Sequence, residues 1–495
     1  MKGPSDNLKW WVLLTVIIGT FLGRLDQTIV TLALPKIIDE FGITISAAGW
    51  IGTAYIIANA IFVPVWGKLG DTVGRKRIYL IGFSVFIIGS VLAGISWNLG
   101  SMLVFRIIQA VAASADYPTA MAIVAVTFRE ARERAQALGL WSSSFAAAAV
   151  FGPLIGGPLI DNLGWRWIFY INVPVGLLGI FMALRFVRES VSEKKTTHFD
   201  FAGAITLGIA LSSLVLVLDK GMDWGWLSLN STLTYAVVIA FACIFYFVEK
   251  NSEDPIIDFK FFRNSVFVGT LVNNFIVFMG MMGALFILPV FVQSYLGFSA
   301  TQTGYLFMPM AFFMMTSAFL GGRLVGKIKA NHIIAISTFI AGIGLFLFSI
   351  FIDPRATAID IIIPISVMAF GMGLGMSQRT TLITNNVPTE EVGIASSVLA
   401  LGRNIAGAFG IALFATVLNS SVEKNVINIA QNTVINVKSP LVYQQVAALV
   451  ILKAQITGFK TVFIISSTVV FIGAVLAIFL KTKNGNQKAE KVIIE

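Results

Sequence analysis

Fourteen times along this chain, about twenty residues pass with almost no charge. The runs fall near 10–33, 47–66, 78–97, 101–127, 135–160, 165–187, 200–218, 231–249, 265–293, 302–325, 331–352, 357–383, 391–418 and 459–480. A helix rises ~1.5 Å per residue, so twenty residues cross the ~30 Å hydrocarbon core of a bilayer. In lipid an open strand edge leaves backbone groups unpaired, so the runs are expected to be helices. Composition closes the alternatives: 57% of the 495 residues are hydrophobic and 12% charged, half the charge of a soluble chain. One soluble core cannot absorb that much apolar surface. A cytosolic enzyme, a secreted disulfide scaffold and a disordered chain are excluded, and a single cysteine, Cys243, forms no internal bridge. The expected fold is an all-α polytopic membrane protein with fourteen transmembrane helices. The first run is too long for a cleavable signal and no small-residue cleavage site follows it.

The net charge is +10. Nucleic acid is not the expected partner, because the bases flank the apolar runs and orient them. With the N-terminus in the cytoplasm, 23 Lys and Arg fall on the inner side, 8 on the outer, and Arg24, Arg106, Arg379 and Arg403 within spans. An even count of spans puts both termini inside a cell membrane. His198 and His332 lie in charged connectors, which argues against a metal site.

A repeat divides the chain. GKLGDTVGRKR (Gly67–Arg77) closes span 2, and GGRLVGKIK (Gly321–Lys329) closes span 10. Pairing Gly67 with Gly322 and Leu69 with Leu324 gives one offset, 322 − 67 = 255, which also carries span 1 to span 9. The expected organisation is a six-helix bundle over 1–190, two inserted helices over 191–260, and a second bundle over 261–495 with a long extracellular loop at 419–458. Parallel repeats of this kind build transporters.

A charge at mid-membrane costs ~2.5–3.5 kcal/mol on translocon scales and usually faces a cavity or a partner. Two carboxylates qualify, Asp26 in span 1 and Asp116 in span 4. Asp26 lies ~24 Å from the inner start of its span, and Arg106 ~8 Å below the outer surface, so the two can meet. They form either a fixed interhelical pair or one that substrate displaces. Asp116, ~15 Å deeper than Arg106, has no base at its depth in its own span; it is either a proton carrier or a carboxyl bonded within the kink before Pro118. Arg24 is two residues from Asp26, on another face, and is expected to snorkel outward.

Candidate cavity residues are Tyr55 and Asn59 (span 2), Gln109 (span 4), Asn273 and Asn274 (span 9), Gln378 and Arg379 (span 12), and Arg403 and Asn404 (span 13). Trp141, Phe145, Phe278, Met282 and Phe286 add aromatic and thioether surface that repacks around varied ligands; interhelical or lipid-facing packing is the alternative for each. The second half has no intramembrane acid, so cation chemistry is expected in the first. Span 5 packs Gly152, Pro153, Gly156, Gly157 and Pro158 into seven residues, a pattern for kinking and close helix approach. Gly321–Lys327 mimics a phosphate loop, but Ile328 replaces the hydroxyl residue that would bind Mg²⁺. An ion gradient, not ATP, is therefore the expected energy source, with no cofactor; the resemblance below implies protons as the coupling ion.

Together these segments resemble the major facilitator superfamily, in particular its fourteen-span drug:proton antiporter branch. GKLGDTVGRKR is similar to its inner-loop motif at Gly67, Leu69, Gly70, Asp71, Gly74, Arg75 and Lys76. FRIIQA is similar to its span-4 motif at Arg106 and Gln109, with Ala110 where the family has Gly. FGPLIGGPLI, LDQTIVTLALP, WRWIFYINVPVG and the Arg403–Gly410 stretch also resemble this branch. The resemblance implies that Asp71 and Arg75 lock an inner gate, that the span-5 kink seals the halves, and that Asp26 is a protonation or cation-recognition site. It implies proton-coupled export of amphipathic, cationic drugs or dyes through a central cavity, by a monomer in contact with membrane lipid. Export of a lipid, peptide or metabolite on the same fold is the alternative, and a non-transporting sensor a more distant one.

Overall fold

The computed structural model describes residues 6–128, 130–190, 200–252, 255, 257, 259–324, 327–386, 392–432 and 440–480. Its regular elements there are helices: α1 (Asp6–Phe41), α2 (Ile45–Val73), α3 (Arg75–Gly94), α4 (Leu99–Ala113), α5 (Asp116–Thr127), α6 (Ala131–Leu163), α7 (Trp167–Tyr170), α8 (Asn172–Phe186), α9 (Phe201–Trp224), α10 (Leu229–Asn251), α11 (Ser265–Ser294), α12 (Ala300–Leu324), α13 (Ala330–Phe351), α14 (Ala358–Asn385), α15 (Val392–Asn432) and α16 (Pro440–Ile478). Polar caps start many of them. Thr44 accepts from the Ala47 N–H at the head of α2, Asn98 and Ser101 form a reciprocal box on α4, and Asn264 caps α11. Each satisfies donors that a helix start leaves open.

Twelve segments are long and apolar enough to cross a membrane, with α4–α5 and α7–α8 each forming one. By that measure, and among the described residues, twelve of the fourteen expected spans qualify: α6 does not, and the apolar part of α9 is only Ala202–Leu218. The loop expected at 419–458 is also largely helical, since α15 runs on to Asn432 and α16 starts at Pro440. No Gly or Pro interrupts the chain between Gly410 and Pro440, and proline is tolerated in a first helical turn.

The face where α1 begins is here the near face, its opposite the far face. One apolar core joins the two halves at the far face, running from Ile29 and Leu34 of α1 through Phe286 and Phe291 of α11 to Phe414 of α15. Specific contacts cross there: Gln293 donates to the Leu32 carbonyl at 2.9 Å, and Gly49 of α2 meets Phe286 and Ile411. Toward the near face the cores separate. Val12, Tyr79 and Phe128 belong to a cluster confined to the first half, and Ile334, Leu382 and Ala477 to one confined to the second. The halves are thus packed together at the far end and independently packed at the near end.

Candidate functional site

Pro118 lacks an N–H and its ring opposes the carbonyl four residues back, at Ser114. The span accordingly breaks between α4 and α5, and Asp116 becomes the first residue of α5. A carboxylate at a helix start is favoured by the dipole, here in mid-span. Thr20 Oγ1 donates to Asp116 Oδ2 at 2.6 Å, and Trp141 Nε1 donates to Thr20 Oγ1 at 2.8 Å. Asp116 Oδ1 is buried with no hydrogen-bond partner. Beside it a cavity of about 20 Å³, room for one water, opens among Gly19, Gly23, Tyr79, Gly82 and Phe83.

Asp26 has the opposite environment. It is 1% exposed, and both oxygens are occupied. Arg106 Nη1 donates to Oδ2 at 2.5 Å, while Gln109 and Asn172 donate to Oδ1 at 2.9 Å each. Ser90 accepts from Gln109 and Asn172, and the Tyr55 ring lies 4.1 Å under the Arg106 guanidinium. Asp26, Tyr55 and Gln109 form a closed knot tying α1, α2, α3, α4 and α8, the arrangement expected of a fixed interhelical pair at Asp26–Arg106. Asn59 donates to the Ala110 carbonyl at 3.5 Å, also within its own half. Arg24 does not snorkel outward. Its Nη1 donates to Gln27 at 3.1 Å, and it lies within electrostatic reach of Asp116, Tyr55 and Tyr117.

The second half presents a longer strip. Phe278 and Met282 are half-exposed on α11, one turn apart. Arg403 of α15 stacks 5.1 Å over Phe278 and interacts electrostatically with Tyr117, which α5 presents from the first half. Asn274 is fully buried with neither amide atom partnered. Asn273 supports Arg379, accepting from its Nε at 2.8 Å. Phe286 departs from the expected cavity role: at 2% exposure it packs against Gly49 in the far-face core. Trp141 is 3% exposed and lies at a tilt against Tyr117, ring centres 5.3 Å apart; the side chain of Phe145 lies outside the described residues.

Span 5 works on two sides at once. A Cβ at Gly152 would strike Thr28, and one at Gly156 would strike Ile29, both on α1. A Cβ at Gly157 would strike the Thr301 backbone of α12, and Gly304 of α12 fits against the Pro153 carbonyl. Four residues further along α6, Asp161 accepts from the Ala300 and Thr301 N–H groups at 3.1 and 2.8 Å, at the first turn of α12. Asp161 lies outside the segments long and apolar enough to cross a membrane. Burial works to raise its carboxyl, but hydrogen bonds from Thr301, Ser299 and Ala300 outweigh it and hold it below the usual carboxylate range.

At the near face Gly67 packs on Pro118 and Gly70 on Thr119. The side chain of Asp71 lies outside the described residues. Gly74 has φ +123°, and the Arg75 N–H donates to the Ser190 carbonyl at 3.0 Å. The Lys76 and Arg77 N–H groups donate to the two Glu189 oxygens at 3.0 and 3.1 Å. Glu189, Asp161, Thr20, Ser90 and Asn172 were not singled out from sequence. Asn172 sits inside WRWIFYINVPVG, the one signal that pointed toward any of them.

The Major Facilitator Superfamily model matches residues 16–411. A multidrug transporter protein of Bacillus subtilis (MdtP) is 32% identical over 425 residues, 85% of this chain and 77% of its own. A riboflavin transporter of Clostridioides difficile (RibZ) is 29% identical over 420 residues, 84% of this chain and 90% of its own. Among solved structures, a bacterial homologue of the human lysosomal transporter Spinster, inward-facing and occupied, superposes with a TM-score of 0.69 at 17% identity, covering 96% of this chain and 97% of that one.

Proposed function

This chain belongs to the Major Facilitator Superfamily, and we propose that it is a proton-coupled antiporter exporting amphipathic small molecules by alternating access. The observation that carries the coupling is Asp116: one oxygen held by Thr20, the other buried and unpartnered, at a helix break in mid-span. A proton on Oδ1 removes a charge that the surroundings only half satisfy. Asp26, saturated by Arg106, Gln109 and Asn172, positions helices instead. Relatives named as multidrug transporters support the export of varied compounds, and Phe278, Met282 and Tyr117 supply adaptable apolar surface for them.

The near face is assigned to the cytoplasm of a cell membrane, because the connectors expected on that side carry 23 bases in the sequence against 8 on the other. The assigned topology has fourteen crossings. α6 follows α1 along its length, from Lys9–Glu133 at 3.1 Å to the Thr28–Ala148 carbonyl contact at 3.3 Å and beyond. α9 packs against α10, with Gly203 against Glu249 at one end. α9 and α10 are then the insertion between two six-span halves, and one monomer holds the whole path. In the cycle, the Gly152–Gly157 stretch seals the far face, and the Gly67–Arg75 stretch, with Asp71, gates the near one. Cationic dyes are the first cargo class to test, with Asp116 as the carboxylate that would meet them.

The test is efflux from proteoliposomes under an imposed pH difference, with a panel of mono- and dicationic dyes including ethidium. Transport should follow the proton gradient and lose that dependence in Asp116→Asn; equal rates with and without a gradient reject the coupling. The riboflavin transporter relative favours a second reading, export of a metabolite on the same fold. It predicts that the dyes neither move nor compete.

A further inference from the structure

The interior of the second half holds positive charge that no described carboxylate answers. Asp26 is consumed by Arg106, and Asp116 acts on Arg24. Arg379 and Arg403 remain. Arg379 is 1% exposed and is held by neutral acceptors only: Asn273 Oδ1 at 2.8 Å, Thr338 Oγ1 at 2.9 Å and Ser337 Oγ at 3.5 Å. A buried guanidinium with no described carboxylate beside it is costly to keep at low dielectric, and an anion close by relieves that cost.

Arg403 is placed to meet that anion. It is partly exposed. Its Cζ lies 5.1 Å over the Phe278 ring, an arrangement that leaves the guanidinium edge free for bidentate contact with a planar acid. Its Nε is buried and without a hydrogen-bond partner. Gly402 packs on Leu271 and Gly407 on Met282, which sets Arg403 level with Asn274, whose amide is likewise unpartnered. Phe278 and Met282 then supply apolar contact for the rest of a molecule whose acidic end is held here.

We propose that the space between the halves binds its cargo through an acidic group, with Arg403 as the contacting cation and Arg379 as the charge behind it, so that the cargo is an amphipathic anion. This rests on the export reading and changes its substrate class. The acidic group belongs to a soluble aromatic acid or to an anionic lipid headgroup, and the chemistry of recognition is the same.

The experiment uses purified full-length protein in nanodiscs of neutral lipid, with carboxyfluorescein as anionic probe and ethidium as cationic probe. Carboxyfluorescein should bind, and Arg403→Gln should weaken it tenfold or more while Arg403→Lys retains part of the affinity. Ethidium should bind Arg403→Gln at least as well as the parent. Thermal melting of both variants guards against misfolding; if Arg403→Gln does not fold, Arg403→Lys is read alone and should lie between parent affinity and none. Adding phosphatidylglycerol to the discs separates the sources. Loss of dye binding at constant protein assigns the site to a headgroup, and unchanged binding assigns it to the soluble acid. Equal dye affinity in the parent and Arg403→Gln, or no dye binding by the parent, overturns the proposal. Proton-driven ethidium efflux persisting in that case leaves the export reading standing, whereas dye binding without any coupled transport sinks the export reading and keeps the anion site.

Discussion

Gly157 of α6 and Thr301 of α12 come so close that a single Cβ on the glycine would overlap the threonine backbone. The contact joins opposite halves at the far face, and Gly304 repeats it against Pro153 one turn along α12. Backbone cannot retreat as a flexible side chain does, so Gly157→Val should exclude the state with the far face closed. Spin labels at Lys36 and Gln302, exposed on opposite halves, report the separation. A Cys243→Ser background is needed because Cys243 is exposed. The labels should move apart in Gly157→Val and not in Gly23→Val, where a Cβ meets nothing within 4 Å. An unchanged distance in both would mean that this contact does not hold the far face shut.

Asp161 adds a charge to the same seam. A carboxyl held below its ordinary value stabilises the state that holds it once pH exceeds the ordinary value. That contribution fades as pH falls through the lowered one. The ordinary value is ~3.9, so far-face closure should be flat from about pH 8 to 5 and loosen only in stronger acid. Asp161→Asn should remove that acid step and shift the Lys36–Gln302 distances outward relative to the parent at every pH above it. A loosening centred near neutrality, still present in Asp161→Asn, would assign the response to another group.

The two span carboxylates should part company on neutralisation. Asp26→Asn leaves Arg106, 1% exposed, as a buried charge without its partner, a loss of about 3–5 kcal/mol. Asp116→Asn removes no ion pair, and an amide oxygen still accepts from Thr20. Thermal melting should therefore fall sharply for Asp26→Asn and little for Asp116→Asn. Proton dependence of transport should be lost in Asp116→Asn while the protein stays folded. Matching melting losses in the two variants would contradict the division of roles drawn from their surroundings.

Helix arithmetic made the Asp26–Arg106 meeting legible in the sequence: rise per residue gave both depths, and depth is a local property. The other members of that knot, Ser90 and Asn172, come from α3 and α8, and which helices are neighbours is not a local property. The direction of Arg24 was misread for the same reason, because the electrostatic pull of Asp116 and Tyr117 depends on packing. Phe286 looked like cavity surface on α11; it is buried only because the first half closes over it at the far face, so its role depends on conformation. The connector after span 13 was expected as a loop at 419–458, whereas the absence of Gly and Pro after Gly410 agrees with α15 running on to Asn432. The arginines of the second half were visible in the sequence, but that no described carboxylate pairs with Arg379 or Arg403 is a statement about three dimensions.

Gly74 makes the last prediction, because two separable causes fix the residue type. Its φ of +123° lies where side chains are strained, at a cost on the order of 1–3 kcal/mol. A Cβ there would also meet the Glu189 carboxyl at 2.6 Å. That carboxyl accepts from the Lys76 and Arg77 N–H groups, satisfying donors at the start of α3 and neutralising its dipole. Gly74→Ala should thus lower the melting temperature twice over, by backbone strain and by pushing Glu189 off the helix. In Glu189→Ala the second loss has already happened, so the double variant should lose less than the two single losses added together. Strict additivity in that cycle would show that Glu189 moves aside freely and that the left-handed backbone alone dictates glycine here.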